Sequence, residues 1–246
     1  MAVDGATVRF GGVTALSDVT VSMPAGLVFG VIGPNGAGKT TFIDAISGFE
    51  RLARGSVTFC GRDITRWPAY RRKRAGLSRT FQNLELFLDL SVEENLLASI
   101  SSRQTSAWFR DVVDLLGIRP KLHCQITELS HGEQRLVSIA RALVDDPKLL
   151  ILDEPAAGLD ASATEYITGL LRRVSLDRAV MIVEHDVALI AELCDVVVVL
   201  NLGEVLAIGK PSEVLKSSVV QEVYLGAEEV SLDPEGGGDG EQHAAS

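Results

Sequence analysis

Residues 33–40 read GPNGAGKT, directly after the apolar run LVFGVI and directly before the apolar-periodic segment KTTFIDAISG. This stretch constrains the fold more than any other. A short apolar strand, a glycine-rich turn and a helix opening on Lys-Thr together form a phosphate loop. Its glycines let successive backbone N–H groups converge on anionic oxygens at a helix N-terminus. Lys39 is expected to reach the β- and γ-phosphates of a nucleotide, where one charge pair at about 4 Å is worth roughly 4 kcal/mol at an effective dielectric near 20. Thr40 is expected to offer its hydroxyl to Mg²⁺. A chance glycine turn would explain neither the strand before it nor the helix after it.

The rest of the chain supplies the sheet that such a loop needs. From Ser130 onward helix-periodic and strand-like segments alternate: RLVSIARAL, LLILD, a helix after Ala161, VMIV, a helix after Asp186, and DVVVVL. That alternation predicts an α/β domain with a parallel sheet and right-handed crossovers. A hydrophobic content of 46% and a mean hydropathy of +0.22 fit strands buried on both faces. TVRF and VTVSM read as strands ahead of the loop; after it come a hairpin strand at GSVTFCGRD and a strand leading into a loop at LSRTFQN. Ser91 and Glu94 give a capping-box start to VEENLLASI, and WFRDVVDLLGI fits a second helix. Residues from about 84 to 128 carry helical signals only and read as a helical subdomain inserted in a domain spanning 1–226. The tail 227–246 is acidic and glycine-rich, and its second half is expected to be disordered.

Charge and composition exclude several classes. The formal net charge of −10 argues against nucleic acid as a partner, because nonspecific affinity for phosphate backbones comes from Lys and Arg. The clearest basic cluster, RWPAYRRKRAG at 66–76, fits a surface for acidic lipid headgroups or RNA, and reads first as a solvated helix face. Apolar runs such as DVVVVL are far shorter than the roughly 18–20 residues a membrane helix requires. The N-terminus MAVDGATVRF lacks a signal-peptide pattern, so a cytoplasmic location is expected. Cys60, Cys124 and Cys194 show no metal or redox spacing and are expected to be buried apolar thiols.

LLILDE at 149–154 is an apolar strand ending in two carboxylates, which places them at the C-terminal edge of a parallel sheet, where ligands bind. Asp153 is expected to hold the Mg²⁺ shell through water and Glu154 to orient the water that attacks the γ-phosphate. Alone, the same segment fits a strand end before the turn EPAAG. In LSHGEQRLVSIARAL at 129–143, Ser130 and Glu133 form S-x-x-E ahead of an apolar-periodic run, a capped helix. A Ser and a Gly at a helix N-terminus also make an anion site. One nucleotide already cradled by the phosphate loop has no use for a second such site, so the second site suggests a second molecule.

From Val8 to about Gly226 the sequence resembles the ATP-binding cassette (ABC) family, with six signals in the family's order: GPNGAGKT, TFQN, LSHGEQ, LLILDE, AAGLD and VEHD. The resemblance implies a P-loop NTPase (RecA-like) core with a parallel sheet, an N-terminal antiparallel β subdomain and a short inserted helical subdomain. It implies ATP and Mg²⁺ as ligands and ATP hydrolysis as the activity. Gly33, Pro34, Asn35, Gly36, Ala37, Gly38, Lys39, Thr40 and Thr41 would bind the phosphates. Gln82 would meet Mg²⁺ and the attacking water, alongside Thr40 and Asp153 at the metal, and would report to membrane subunits. His185 would hold the γ-phosphate and Asp160 matches the D-loop aspartate. In this family two cassettes pair head to tail, so Ser130, Gly132 and Glu133 would face ATP bound by the other subunit. Phe10 matches the aromatic position that stacks on adenine, and fits a half-buried strand residue equally well. Two departures stand out: His131 and Glu133 replace the Gly and Gln of the broad consensus, and ASISSRQTSAWF is short for the helical insertion.

RFGGVTAL, ISGFE, SRTFQNLELF, LSHGEQ, LDEPAAGLD and VYLG together look like the ATPase subunits of branched-chain or hydrophobic amino acid importers, with urea and amide importers close behind. That resemblance implies transmembrane permease subunits, a second ABC ATPase subunit in a homodimer or, by family precedent, a heterodimer, and indirectly an extracytoplasmic solute-binding protein. It places the chain at the inner face of the cell membrane as a peripheral subunit. A lipid or lipopolysaccharide exporter ATPase, a soluble non-transport cassette and a P-loop kinase or switch are the alternatives. The last leaves LSHGEQ and His185 unexplained.

Overall fold

The computed structural model describes residues 1–100 and 106–230. In chain order the elements are β1 (Ala2–Phe10), β2 (Val13–Ser22), β3 (Val28–Ile32), α1 (Lys39–Ser47), β4 (Arg54–Phe59), β5 (Arg62–Asp63), α2 (Ala69–Arg74) and β6 (Leu77–Arg79). There follow α3 (Val92–Leu97), α4 (Ser106–Leu115), α5 (His131–Leu143), β7 (Leu149–Asp153), α6 (Ala161–Ser175) and β8 (Ala179–Val183). The last are α7 (Val187–Leu193), β9 (Val196–Asn201), β10 (Glu204–Gly209), α8 (Pro211–Val214) and α9 (Ser218–Val230). Residues 101–105, within the segment expected to be a short helical insertion, and residues 231–246, which include the second half of the tail where disorder was expected, lie outside the described residues.

Two sheets form. An antiparallel sheet of order β2-β1-β4-β5 carries the N-terminal strands, and the core sheet has the order β10-β9-β3-β8-β7-β6. Within the core sheet β9, β3, β8, β7 and β6 run parallel, and β10 adds an antiparallel edge. Strand β8 therefore separates the strand that leads into the phosphate loop from the strand that ends in Asp153, with Val31 and Asp153 both paired to Val183. All five residues of β3, β7 and β8 are buried. Because side chains alternate across a strand, Leu150 and Leu152 enter one apolar cluster with Val137 and Ile139 of α5. Leu149 and Ile151 enter the other, with Phe42, Ile43 and Ile46 of α1 and the N-terminal sheet. The core thus lies on both faces of the parallel sheet, as the unbroken apolar runs predict.

The expected capping box at Ser91 forms, with Ser91 Oγ accepting from Glu94 N–H and the Glu94 carboxylate accepting from Ser91 N–H. Three readings need correction. Cys60 is exposed and Cys124 half-exposed, so only Cys194 is a buried thiol. Cys60 occupies the two-residue turn of the β4–β5 hairpin, where it and Gly61 both have positive φ (+48° and +72°), the primed geometry that matches strand twist and points its residues to solvent. In the basic cluster, Arg72 is not on a solvated face but 1% exposed. Its guanidinium donates to the carbonyls of Ala45 and Ile46 at the end of α1 and of Thr65 and Trp67 in the preceding loop. A buried cation is stable here because carbonyl oxygens that α1 leaves unpaired surround it.

Candidate active site

The phosphate loop is built by close approach. Gly33 has φ +153°, and a Cβ there would lie 2.2 Å from the carbonyl oxygen of Leu200 in β9; Gly38 has φ +100°, and a Cβ there would lie 2.9 Å from Ala15 O in β2. Neither position admits a side chain. Gly36, by contrast, faces open space (φ +78°), so the middle of the loop is bare backbone. Asn35 and Thr40 are exposed, Pro34, Lys39 and Thr41 half-buried, and Ala37 buried beneath them. Lys39 Nζ donates to Gly33 O at 2.6 Å and Pro34 O at 3.0 Å. Burial lowers its pKa, against the opposing pull of Glu154 and Asp153. Both carboxylates thus act on the same ammonium.

Asp153 is 6% exposed. Burial pushes its carboxyl up to about 6, opposed by Arg79, with Glu154 and Asp44 adding to the rise. Its backbone N–H donates to Thr80 Oγ1 at 3.2 Å. Glu154 follows at φ +48°, leaving the strand direction, so two consecutive carboxylates project differently. Gln82 Nε2, from the loop after β6, donates to Glu154 Oε2 at 3.0 Å, and His185 Nδ1 lies 4.0 Å from Glu154 Oε1. Three residues separated by up to 103 positions in sequence (185 − 82) thus meet at the C-terminal edge of the sheet.

Beneath them lies a group that sequence reasoning missed. Glu184, 1% exposed, accepts from the N–H groups of Ala156 and His185 and approaches His185 Nδ1 at 3.7 Å. Burial raises its pKa. Arg135 of α5, 3% exposed, donates to Ala157 O at 3.4 Å. Burial lowers its pKa against the pull of Glu184 first, then Glu154 and Asp153. Arg79, whose side chain is 6% exposed, pairs with Asp153 at 3.6 Å and with Asp44 at 2.5 Å. The available signal was a charged residue inside an apolar run, since buried charges persist only when paired. Tyr224, inside VYLG, packs against the core cluster, and burial pushes its hydroxyl up to about 12.

The remaining residues lie elsewhere. Ser130 caps α5 with Glu133 reciprocally, Ser130 Oγ accepting at 3.3 Å and the Glu133 carboxylate accepting from Ser130 N–H at 2.8 Å. Glu133 also pairs with Lys121 at 3.0 Å. A Cβ on Gly158 would lie 3.4 Å from His131 Nε2, so the variant imidazole sits over the bare backbone of AAGLD. Asp160 caps α6, accepting from Ala163 N–H and Ser162 Oγ, which lowers its pKa. Phe10 ends β1 and is 50% exposed. Among the described residues no hydrogen bond or ion pair joins 130–133 to 33–41. One chain therefore assembles the loop, Gln82, Asp153, Glu154 and His185, and leaves the α5 N-terminus apart from them.

Residues 16–157 match the ABC transporter family model. The chain is 32% identical to the high-affinity branched-chain amino acid transport ATP-binding protein LivG of Salmonella typhimurium, over 92% of this chain and 97% of that protein. It is 34% identical to a probable branched-chain amino acid transport ATP-binding protein LivG of Archaeoglobus fulgidus, over 91% and 94%. Among solved structures it superposes on the ADP conformation of MJ1267, an ATP-binding cassette of an ABC transporter, with a TM-score of 0.85 and 28% identity, over 92% of this chain and 98% of that one. The P-loop core, the six motifs in order and these likenesses agree: the chain belongs to the ABC transporter family and is one of its ATP-hydrolysing subunits.

Proposed function

We propose that the chain powers uptake of branched-chain or other hydrophobic amino acids, or of the related urea and amides, through separate membrane subunits on whose inner face it sits. The observation that carries the catalytic part is the meeting of Gln82, Glu154 and His185 beside the phosphate loop. The choice of cargo rests on the relatives, which are branched-chain amino acid transport ATP-binding proteins, since an ATPase subunit does not touch what is transported. No described helix is long and apolar enough to cross a membrane, which fits a subunit docked on membrane partners.

Backbone N–H groups of Gly33–Thr41 and the Lys39 ammonium bind the phosphates, and the Phe10 ring stacks on adenine. The donors available to a metal are the Thr40 hydroxyl, the Gln82 amide oxygen and the Asp153 carboxylate. All are oxygens, and so few suit Mg²⁺, which keeps waters and phosphate oxygens in its shell. When bound, Mg²⁺ neutralises charge on the phosphates. Glu154, held by Gln82, orients the attacking water. His185, seated on Glu184, donates to the γ-phosphate. Ser130, Gly132 and Glu133 complete the site on a second cassette, identical or similar, and Asp160 lies at the junction. We take 1–226 as the ATPase unit, with 84–128 as its inserted helical part and 227–246 as an appended tail.

Glu154→Gln tests the core of this reading. The variant is expected to lose ATP hydrolysis by at least about a hundredfold, to bind ATP as before, and to dimerise when ATP is added. Hydrolysis at the wild-type rate would remove Glu154 from the mechanism. For the cargo, the chain is to be purified from native membranes with its partners, asking which amino acid or amide, with its binding protein, stimulates hydrolysis.

A further inference from the structure

Arg79 stands on β6 three residues before Gln82, and it belongs to two places at once. On one side its guanidinium pairs with Asp44 of α1 and Asp153 of β7 and donates to Ser47 Oγ at 3.1 Å. On the other it lies 4.4 Å from the centroid of the Phe81 ring and 5.4 Å from that of Phe49, and the two rings meet edge to face at 5.3 Å. Arg79, Phe81 and Phe49 line a groove of about 470 Å³ between α2, the end of α1 and α5, with Tyr70 and Leu84 extending its apolar surface. A planar guanidinium can pair with carboxylates in its plane while aromatic rings pack on its faces, which an ammonium cannot do. The Asp153 backbone is already fixed by its ladder to β8 and by Thr80. What Arg79 controls is therefore the direction of the carboxylate.

We propose that Arg79 is a positioning residue: Phe49 and Phe81, packed on its guanidinium, hold it in the orientation that sets the direction of the metal-binding Asp153 carboxylate. The proposal rests on the ATPase reading above.

The test measures Mn²⁺ affinity by electron paramagnetic resonance in the full chain loaded with a non-hydrolysable ATP analogue, together with each variant's melting temperature. Arg79→Gln is expected to weaken Mn²⁺ binding about tenfold or more, the scale for losing a group that orients a metal ligand. Arg79→Lys keeps the charge without the fork or the ring stack and is expected to fall between Arg79→Gln and wild type. Phe81→Leu decides when it is made in a Gln82→Ala background and compared with Gln82→Ala alone, because the neighbouring metal donor is then absent from both chains and Phe81 itself touches neither carboxylate nor phosphate. It is expected to weaken Mn²⁺ binding about two- to fivefold while leaving metal-free affinity for the analogue unchanged. Unchanged Mn²⁺ affinity in Phe81→Leu, with only a lower melting temperature, overturns the link and leaves Arg79 a structural ion pair. If Arg79→Gln does not fold, Phe81→Leu and Arg79→Lys answer the same question. A wild-type chain that binds neither analogue nor Mn²⁺ overturns the ATPase reading itself, a distinguishable result.

Discussion

Glu154 holds a left-handed backbone at φ +48°, which costs a residue with a Cβ about 1–3 kcal/mol. Its N–H donates to Val183 O at 2.8 Å and its carbonyl accepts from Ala157 N–H at 3.2 Å, so the surrounding turn imposes the conformation. Glu154→Gly is therefore expected to melt at or above the wild-type temperature while losing hydrolysis, as thermal denaturation and phosphate release would report. The thiols give a second contrast. Burial pushes Cys194 up to about 12 from an ordinary 9.0, against Ile190 and the bare Cα of Gly30, whereas Cys60 is exposed. A thiol reagent at pH 8 is expected to label Cys60 in the folded protein and Cys194 only after denaturant is added. Because the folded-state value lies above the unfolded one, the stability that the Cys194 thiol contributes is complete below about pH 9 and declines as pH rises toward 12. Neither glutamate strain nor thiol exposure was legible in sequence, since both follow from where a turn falls.

At the scale of elements, α1 shows how a helix carrying the phosphate loop is held from behind. Gly48 ends it in a left-handed cap, and Arg72 of α2 supplies donors to its last carbonyls. Arg72→Met leaves buried carbonyl oxygens without their donor and is expected to cost about 2–4 kcal/mol, read as a drop in denaturant midpoint with unchanged slope. The main strands and long helices were legible from period and punctuation, as were the capping boxes at Ser91 and Ser130. Element α2 lies inside the basic run read as a solvated helix face; what escaped was its buried side, because a helix whose buried contact is the Arg72 guanidinium leaves no hydrophobic period to read. Strand β10 escaped for a related reason: VLAI pairs only at the sheet edge, and its burial is partial.

For the whole molecule, the separation of the α5 N-terminus from the chain's own phosphate loop makes pairing the central prediction. Lys39→Ala and Gly132→Asp copies are each expected to be inactive, and a mixture is expected to recover part of the activity by forming one intact site across a mixed dimer. No recovery, with both variants folded and Gly132→Asp still binding ATP, would assign the second signature helix to a different cassette. The sequence alone determined the P-loop core and the residues at each motif, because backbone requirements such as a bare Gly33 and Gly38 and an uninterrupted apolar strand are local and leave local marks. Only the tertiary structure decided that Arg79 joins an apolar groove to Asp153, that Glu184 and Arg135 underlie the site, and that Gln82, Glu154 and His185 meet. Long-range charge pairing in a low-dielectric interior depends on which strands become neighbours, and no single stretch of sequence encodes that.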